Sequence, residues 1–244
     1  MKLYAAILLC VLQSAASAGE VRIAAASNFS TALRAIVERF EADTGHRVSM
    51  SFGSTGKHYA QIRNGAPFDV FFAADRQRPT LLEAEGIALS GSRFNYALGR
   101  LVLWSPESSF VDAEGDVLDG GDFRHLAIAN PLLAPYGRAA QQVLQARGLW
   151  EDLQARLVRG ENIAQAYQFV RSGNARLGFV AYAQVMQPGG TVEGSFWLVP
   201  ESLHAPIEQQ AVLLRDTPAA RDLLDFVRSE VSLAIIRDYG YNIP

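Results

Sequence analysis

The sequence predicts an α/β protein of two lobes with a cleft between them, and three observations carry that prediction. Short apolar runs alternate with stretches whose apolar residues recur at helical spacing, the pattern of strand–helix units on a sheet. The alternation is interrupted near residue 99, after which a second set of units begins, and a return is expected near residue 207. A chain that crosses twice between two such sets leaves a cleft, the usual place for a small ligand.

In order, residues 21–26 read as an apolar strand, and Ala32, Leu33, Ile36, Val37 and Phe40 follow at helical spacing to a stop at Thr44-Gly45. Residues 48–52 are a second strand running into Gly53-Ser54-Thr55-Gly56, after which Tyr59 and Ile62 mark a helix ending at Asn64-Gly65. The continuous apolar run 68–73 suits a buried parallel strand, and residues 79–84 a helix with Gly86 beyond its end. Residues 100–104 form a strand closed by Ser105-Pro106, and a polar stretch follows. Residues 125–129 are the next strand and 130–136 a Pro-containing loop, while Ala139, Val143, Leu144 and Leu149 trace a helix interrupted near Gly148. A strand at 157–158 leads into Gly160-Glu161-Asn162, with Ile163, Ala166, Tyr167, Phe169 and Val170 on the helix after it. Residues 177–181, 197–199 and 210–214 are further strands, and 219–239 one long helical region.

Residues 1–18 read as a secretory signal: Lys2 is the positive start, Tyr4 to Leu12 the apolar run, and Ala16-Ser17-Ala18 a small-residue cleavage site before Gly19. The run is too short to span a bilayer comfortably, so no membrane insertion is expected. Cys10 is the only cysteine; Leu9 stands where a lipid-anchor motif wants a small residue, and the cut removes Cys10 altogether. About 226 residues remain, divided as residues 19–98 plus 207–244 in one lobe and 99–206 in the other. In this cleaved chain 21 Lys and Arg face 25 Asp and Glu, a net charge of −4. That balance supplies no basic field for nucleic acid or an anionic membrane. Any anion must therefore be held by local dipoles.

Four loop-to-helix junctions share one character: Ser27-Asn28, Ser54-Thr55-Gly56, Tyr136-Gly137 and Asn162-Ile163. Each follows a strand and opens a helix, so each presents unpaired N–H groups at the carboxyl edge of a sheet. Two such edges facing across a cleft could surround a small tetrahedral dianion with neutral donors. Taken singly, Ser27, Asn28 and Thr55 are equally N-caps, and Tyr136 a packed aromatic. The case rests on the set.

The mature chain resembles the periplasmic molybdate-binding proteins of ABC-type importers. The stretches that carry the resemblance are AAASNF (24–29), SFGSTG (51–56), NGAPFDVFFAAD (64–75), GSRFNYALGRLVLWS (91–105), IANPLLAPYG (128–137), the GEN-I-QA pattern around 160–166, and LGFVA (177–181). The resemblance implies a two-lobed periplasmic-binding-protein fold of type II that captures molybdate, and tungstate with it, and delivers it to a membrane permease. It implies a monomer in the periplasm, with no cofactor and with molybdenum bound as the oxyanion rather than as a metal cation. Carried over by residue, contacts come from Ser27, Asn28, Thr55, the Tyr136 hydroxyl and the Ile163 N–H, with Ser54, Asn162 and Tyr182 as secondary candidates. Some members place a tyrosine directly after the LG-x-V strand, where this chain has Ala181 and then Tyr182.

Rival readings are weaker. Gly56-Lys57-His58 resembles the end of a P-loop, but Ser51 stands where the leading glycine belongs and His58 where Ser or Thr must hold magnesium. Lys57, the only lysine of the mature chain, then reads as a solvated surface residue. His46, His58, His125 and His204 show no metal-ligand spacing. Asp69 and Asp75 bracket a strand too widely for an acid–base pair and read as turn or capping residues. An exported enzyme acting on phosphorylated or sulfated molecules would need a base, nucleophile or metal that the junctions do not offer. Within the binding class, sulfate and other tetrahedral oxyanions are the alternatives.

Overall fold

The computed structural model describes residues 18–187 and 190–244, so the expected signal, apart from residue 18, and Cys10 lie outside the described residues. The chain opens with β1 (Glu20–Ala26), whose residues are almost all buried, as a central strand requires. A single 3-10 turn, Ser27–Phe29, feeds α1 (Ser30–Thr44), which ends where Gly45 takes φ 74°, a left-handed cap that glycine adopts without strain. There follow β2 (Arg47–Gly53), α2 (Thr55–Arg63), β3 (Val70–Ala73), α3 (Gln77–Ala84) and β4 (Phe94–Gly99).

Across Arg100 the chain enters a second sheet with β5 (Leu101–Ser105), the short α4 (Val117–Gly120), β6 (Leu126–Ala129), α5 (Pro135–Ala146) and α6 (Trp150–Leu153). It continues through β7 (Leu157–Gly160), α7 (Ile163–Arg171), β8 (Leu177–Ala181), α8 (Tyr182–Val185) and β9 (Ser195–Leu198). It then returns to the first sheet as β10 (Ile207–Leu213) and ends in α9 (Pro218–Arg228) and α10 (Glu230–Asp238). The sheet orders are β2-β1-β3-β10-β4 and β7-β6-β8-β5-β9. The fold is the two-lobed α/β architecture of type II periplasmic binding proteins.

Each sheet is buried on both faces. In the first lobe Ile23, Phe29, Leu33, Phe40, Phe72 and Leu223 pack on one side and Ile62, Phe71 and Leu82 on the other. In the second, Leu103, Ile128, Leu144 and Phe179 oppose Val102, Trp104, Val170 and Val180. Burial of this kind drives the fold at about 25 cal/mol per Å2 of apolar surface. Ala26, Ala74 and Ile207 of the first lobe join the core of the second and close the base of the cleft.

Three features depart from the sequence pattern. β4 is unannounced by hydropathy because it is an edge strand buried only at Tyr96 and Ala97, recognisable through its antiparallel pairing with β10. The C-terminal helical region is two helices, since Ser229 is extended and its hydroxyl accepts the Ser232 N–H to start α10. Asp75 behaves as expected, accepting the Arg78 N–H at 3.0 Å, but Asp69 is neither turn nor cap. Its buried carboxylate accepts the Arg22 N–H at 2.7 Å and lies 3.6 and 3.5 Å from the Arg22 and Arg215 guanidinium groups, fastening β3 to its neighbours.

Candidate functional site

The carboxyl ends of β1, β2, β6 and β7 meet across the cleft, and their junctions line one small cavity. Its walls are Ala26, Ser27, Asn28, Gly53, Ser54, Thr55 and Ala74 from the first lobe and Ala134, Pro135, Tyr136, Asn162 and Ile163 from the second. The free space within it is about 10 Å3, roughly the room of one water-sized sphere, which leaves no place for an organic ligand. No charged side chain lines it. The structure thus brings together Ser27, Asn28, Ser54, Thr55, Tyr136, Asn162 and Ile163. Tyr182 is not among the lining residues: its ring stacks on the Arg100 guanidinium, 4.3 Å away, and packs near Phe196.

Hydrogen bonding decides what each wall can offer. The Thr55 hydroxyl oxygen accepts the Ala74 N–H at 3.1 Å, which anchors the oxygen and leaves its hydrogen for the cavity. Ser54 and Asn162 act as N-caps, accepting from Lys57 N at 3.4 Å and Gln165 N at 3.1 Å. The Ser27 hydroxyl donates across the cleft to Asn162 Oδ1 at 3.2 Å and can rotate toward an ion instead. α7 begins at Ile163, whose N–H has no partner within the helix and sits at its positive end. Asn28 differs from expectation in which atoms it can offer. Both hydrogens of its amide are taken internally, by Gln209 Oε1 at 2.8 Å and by the Tyr241 hydroxyl at 3.2 Å. Its backbone N–H, in the opening turn of a helix, is the donor that remains.

Tyr136 lies on α5 directly after Pro135, which brings no N–H of its own to the helix start. Its hydroxyl oxygen receives the Gln209 Nε2 hydrogen at 3.4 Å. Burial pushes the Tyr136 phenol well above its ordinary range, and those of Tyr96 and Tyr241 also rise chiefly through burial. All three are therefore neutral O–H groups around neutral pH. Gln209, Tyr96 and Tyr241 were not evident as site residues in the sequence. The one local signal is a polar run, Glu208-Gln209-Gln210, at the start of a strand that is otherwise apolar.

The two lobes touch around the rim. Gly56 N donates to Leu133 O at 2.8 Å, and the buried Arg78 guanidinium, paired with Asp75, donates to Leu132 O at 3.1 Å. A Cβ on Gly56 would lie 3.0 Å from Leu133 O, so this approach depends on glycine. Lys57 is not simply solvated; its Nζ reaches both Glu161 carboxylate oxygens at 3.1 Å across the mouth. The lobes are closed over the cavity.

Comparison with known proteins places these features in context. Residues 21–242 match the family described as bacterial extracellular solute-binding protein. The molybdate-binding protein ModA of Azotobacter vinelandii is 51% identical over 236 residues, covering 96% of this chain and 94% of the relative. That of Rhodobacter capsulatus is 48% identical over 93% of this chain and 89% of its own length. The solved periplasmic molybdate-binding protein of Azotobacter vinelandii superposes with a TM-score of 0.90 at 44% identity, covering 92% of this chain and 99% of that one.

Proposed function

Because the chain belongs to the family of bacterial extracellular solute-binding proteins, we propose that it captures molybdate in the interlobe cavity and hands it to the membrane permease of an ABC-type importer. It is a binding protein and not an enzyme, as its similar relatives are. The observation that carries the reading is the convergence of four strand–helix junctions, two from each lobe, on one small uncharged cavity.

The donors are the hydroxyls of Ser27, Thr55 and Tyr136 and the backbone N–H groups of Asn28 and Ile163, with Ser54 and Asn162 holding the helix starts beside them. Hydrogen bonds to a charged acceptor are about twice as strong as neutral ones, so five such donors can replace much of a dianion's hydration without a cationic side chain. A neutral wall also avoids burying a second formal charge. Tungstate, of like charge and nearly equal size, enters by the same contacts, whereas sulfate is smaller and leaves donors out of reach.

Binding draws the lobes, residues 19–98 with 207–244 and residues 99–206, onto the ion, and the rim contacts then hold them shut. The permease reads that closed form, as an equilibrium shifted by the ion's preference for it. The protein acts as a monomer in the periplasm, delivered there by residues 1–18. No helix among the described residues is long and apolar enough to cross a membrane.

Titration calorimetry of dialysed protein with molybdate, tungstate, sulfate and phosphate tests the reading. One site per monomer is expected for molybdate and tungstate, with sulfate and phosphate far weaker. A clear sulfate isotherm with no heat from molybdate or tungstate would overturn it.

A further inference from the structure

We infer that Gln209 is a positioning residue that fixes the direction of the Tyr136 hydroxyl, so that the cavity meets its ion with an O–H donor and selects against oxyanions that carry a proton. The inference rests on the oxyanion reading above and adds to it a residue that does not touch the ion.

The Asn28 carbonyl can only accept, and it receives the Tyr241 hydroxyl at 2.7 Å. A phenol has one hydrogen, so the Tyr241 oxygen must accept at its other contact, which is the Asn28 side chain at 3.2 Å. That contact identifies the Asn28 atom as the amide nitrogen. Its second hydrogen points to Gln209 at 2.8 Å, and the Gln209 atom there must be the carbonyl Oε1. The Tyr96 hydroxyl, 3.0 Å from Oε1 and 3.2 Å from the Ala73 carbonyl, has one hydrogen between two acceptors, so the assignment rests on Asn28.

With Oε1 fixed, Gln209 turns its amide nitrogen toward Tyr136, whose oxygen must accept at 3.4 Å. Among the described residues no acceptor takes the Tyr136 hydrogen, and Tyr136 lines the cavity. Each link is forced by the one before, from a backbone carbonyl of the first lobe to a phenol of the second. Gln209 is fully buried, as are Tyr96, Tyr136 and Tyr241 to within a few per cent, so water cannot reverse the sequence of donors.

The consequence is selectivity. A fully deprotonated tetrahedral dianion accepts at every oxygen and meets donors throughout. A protonated ion such as hydrogen phosphate must place its own O–H on an acceptor. Tyr136, held as a donor to the cavity by the Gln209 N–H that it accepts, cannot turn to provide one.

The experiment is a double-mutant cycle on molybdate affinity with wild type, Gln209→Glu, Tyr136→Phe and the double variant, each checked for folding by ion-free thermal unfolding. The introduced carboxylate accepts from Asn28 and reverses the Tyr136 hydroxyl, turning a lone pair on the ion. Gln209→Glu is expected to weaken binding roughly a hundredfold, and at least about tenfold less when Tyr136 is already Phe. Charge repulsion from the carboxylate acts in both backgrounds and drops out of the comparison. Competition by hydrogen phosphate relative to molybdate should rise in Gln209→Glu and stay unchanged in the double variant.

Should Gln209→Glu not fold, the neutral Gln209→Met replaces it, with a several-fold loss beside Tyr136 and none beside Phe. Equal losses in the two backgrounds, with either substitution, would remove the role of Gln209. Wild-type protein that gives no heat with molybdate would instead take down the oxyanion reading and this inference with it.

Discussion

The two lobes are built to one plan and use it differently at the site. In each sheet the strand next to the edge has parallel neighbours on both sides, and beyond them one reversed strand, β10 or β5, pairs antiparallel with both of its neighbours, so β1 and β2 stand where β6 and β7 do in the other lobe. The β2–α2 and β7–α7 junctions are near copies, each with a capping side chain, Ser54 or Asn162, that accepts an N–H three residues on. The β1 and β6 junctions diverge. β1 passes through one 3-10 turn directly into α1, placing Ser27 and Asn28 on the cavity. β6 instead runs through residues 130–134 before α5, and two carbonyls of that loop, Leu132 and Leu133, accept hydrogen bonds from the first lobe. The second lobe therefore commits this junction to contact between the lobes and reaches the cavity with the longer arm of Tyr136. Equivalent positions in a repeated architecture need not carry equivalent chemistry.

The contrast breaks most severely at Gly137. A Cβ there would lie 2.2 Å from the Ala129 carbonyl oxygen, so α5 sits on β6 by direct backbone approach. Neither backbone can rotate away as a flexible side chain would. Gly137→Ala should destabilise the protein by about 3 kcal/mol, at the upper end of overpacking effects, as read by urea denaturation. A loss under about 1 kcal/mol would mean that α5 can lift without disturbing the sheet.

The division of labour is sharpened by Tyr136→Phe and Ser27→Ala. Tyr136 has no rival use for its hydrogen, so its loss should weaken molybdate binding by about 2–3 kcal/mol, the range for a hydrogen bond to a charged group. Ser27 has a rival use for its hydrogen, donated to Asn162 Oδ1, and exchanges that bond for one to the ion. Its removal should cost about 1 kcal/mol in calorimetric affinity. The reverse order would mean that the first lobe holds the ion and the second only covers it.

These residues also mark how much of the molecule the sequence discloses. The strands and helices that position the site were legible because their apolar periods and polar ends are local. So was the gathering of Ser27, Thr55, Tyr136 and Ile163 around one cavity, since each lies at such an end. Gln209 was not, because a glutamine on a strand takes its meaning from Asn28 and Tyr136, far away in the chain and brought near only by the return crossing. Tyr182, a secondary candidate as another tyrosine beside a strand end, packs its ring on Arg100 instead. Lys57 read as a lone cation since its partner Glu161 lies 104 residues on.

A smaller difference separates α2 from α7. Four residues beyond the caps stand His58 in one helix and Ala166 in the other. His58 is buried, with Nδ1 against Gln61 Oε1 at 3.0 Å and, among the described residues, no hydrogen-bond partner at Nε2. Burial, the largest influence on it, lowers its pKa below the ordinary 6.5. The unfolded chain therefore takes up a proton before the folded one. This contribution to stability is complete above about pH 6.5 and is lost as pH falls from there toward the depressed folded value. Urea midpoints measured from about pH 7.5 down to about pH 5 should fall, and fall less in His58→Gln. Equal slopes in the two proteins would place the acid sensitivity elsewhere.

The smallest effect is expected at the mouth, where the Lys57–Glu161 pair joins α2 to the loop before α7. Its side chains are 50% and 37% exposed, so the pair stabilises closure by no more than about 0.5 kcal/mol. Two substitutions separate its possible uses. Lys57→Met removes both the clasp and the one lysine near the cleft, and should slow molybdate association at low salt. Glu161→Gln removes the same clasp but leaves Lys57 unneutralised above an anion's path, so association should quicken. The opposite signs should shrink together as salt shortens the screening length toward about 8 Å. Slower association in both variants would show that closure, and not attraction, is what Lys57 contributes. That outcome would align the β2–α2 junction with the closing role already held by the loop between β6 and α5.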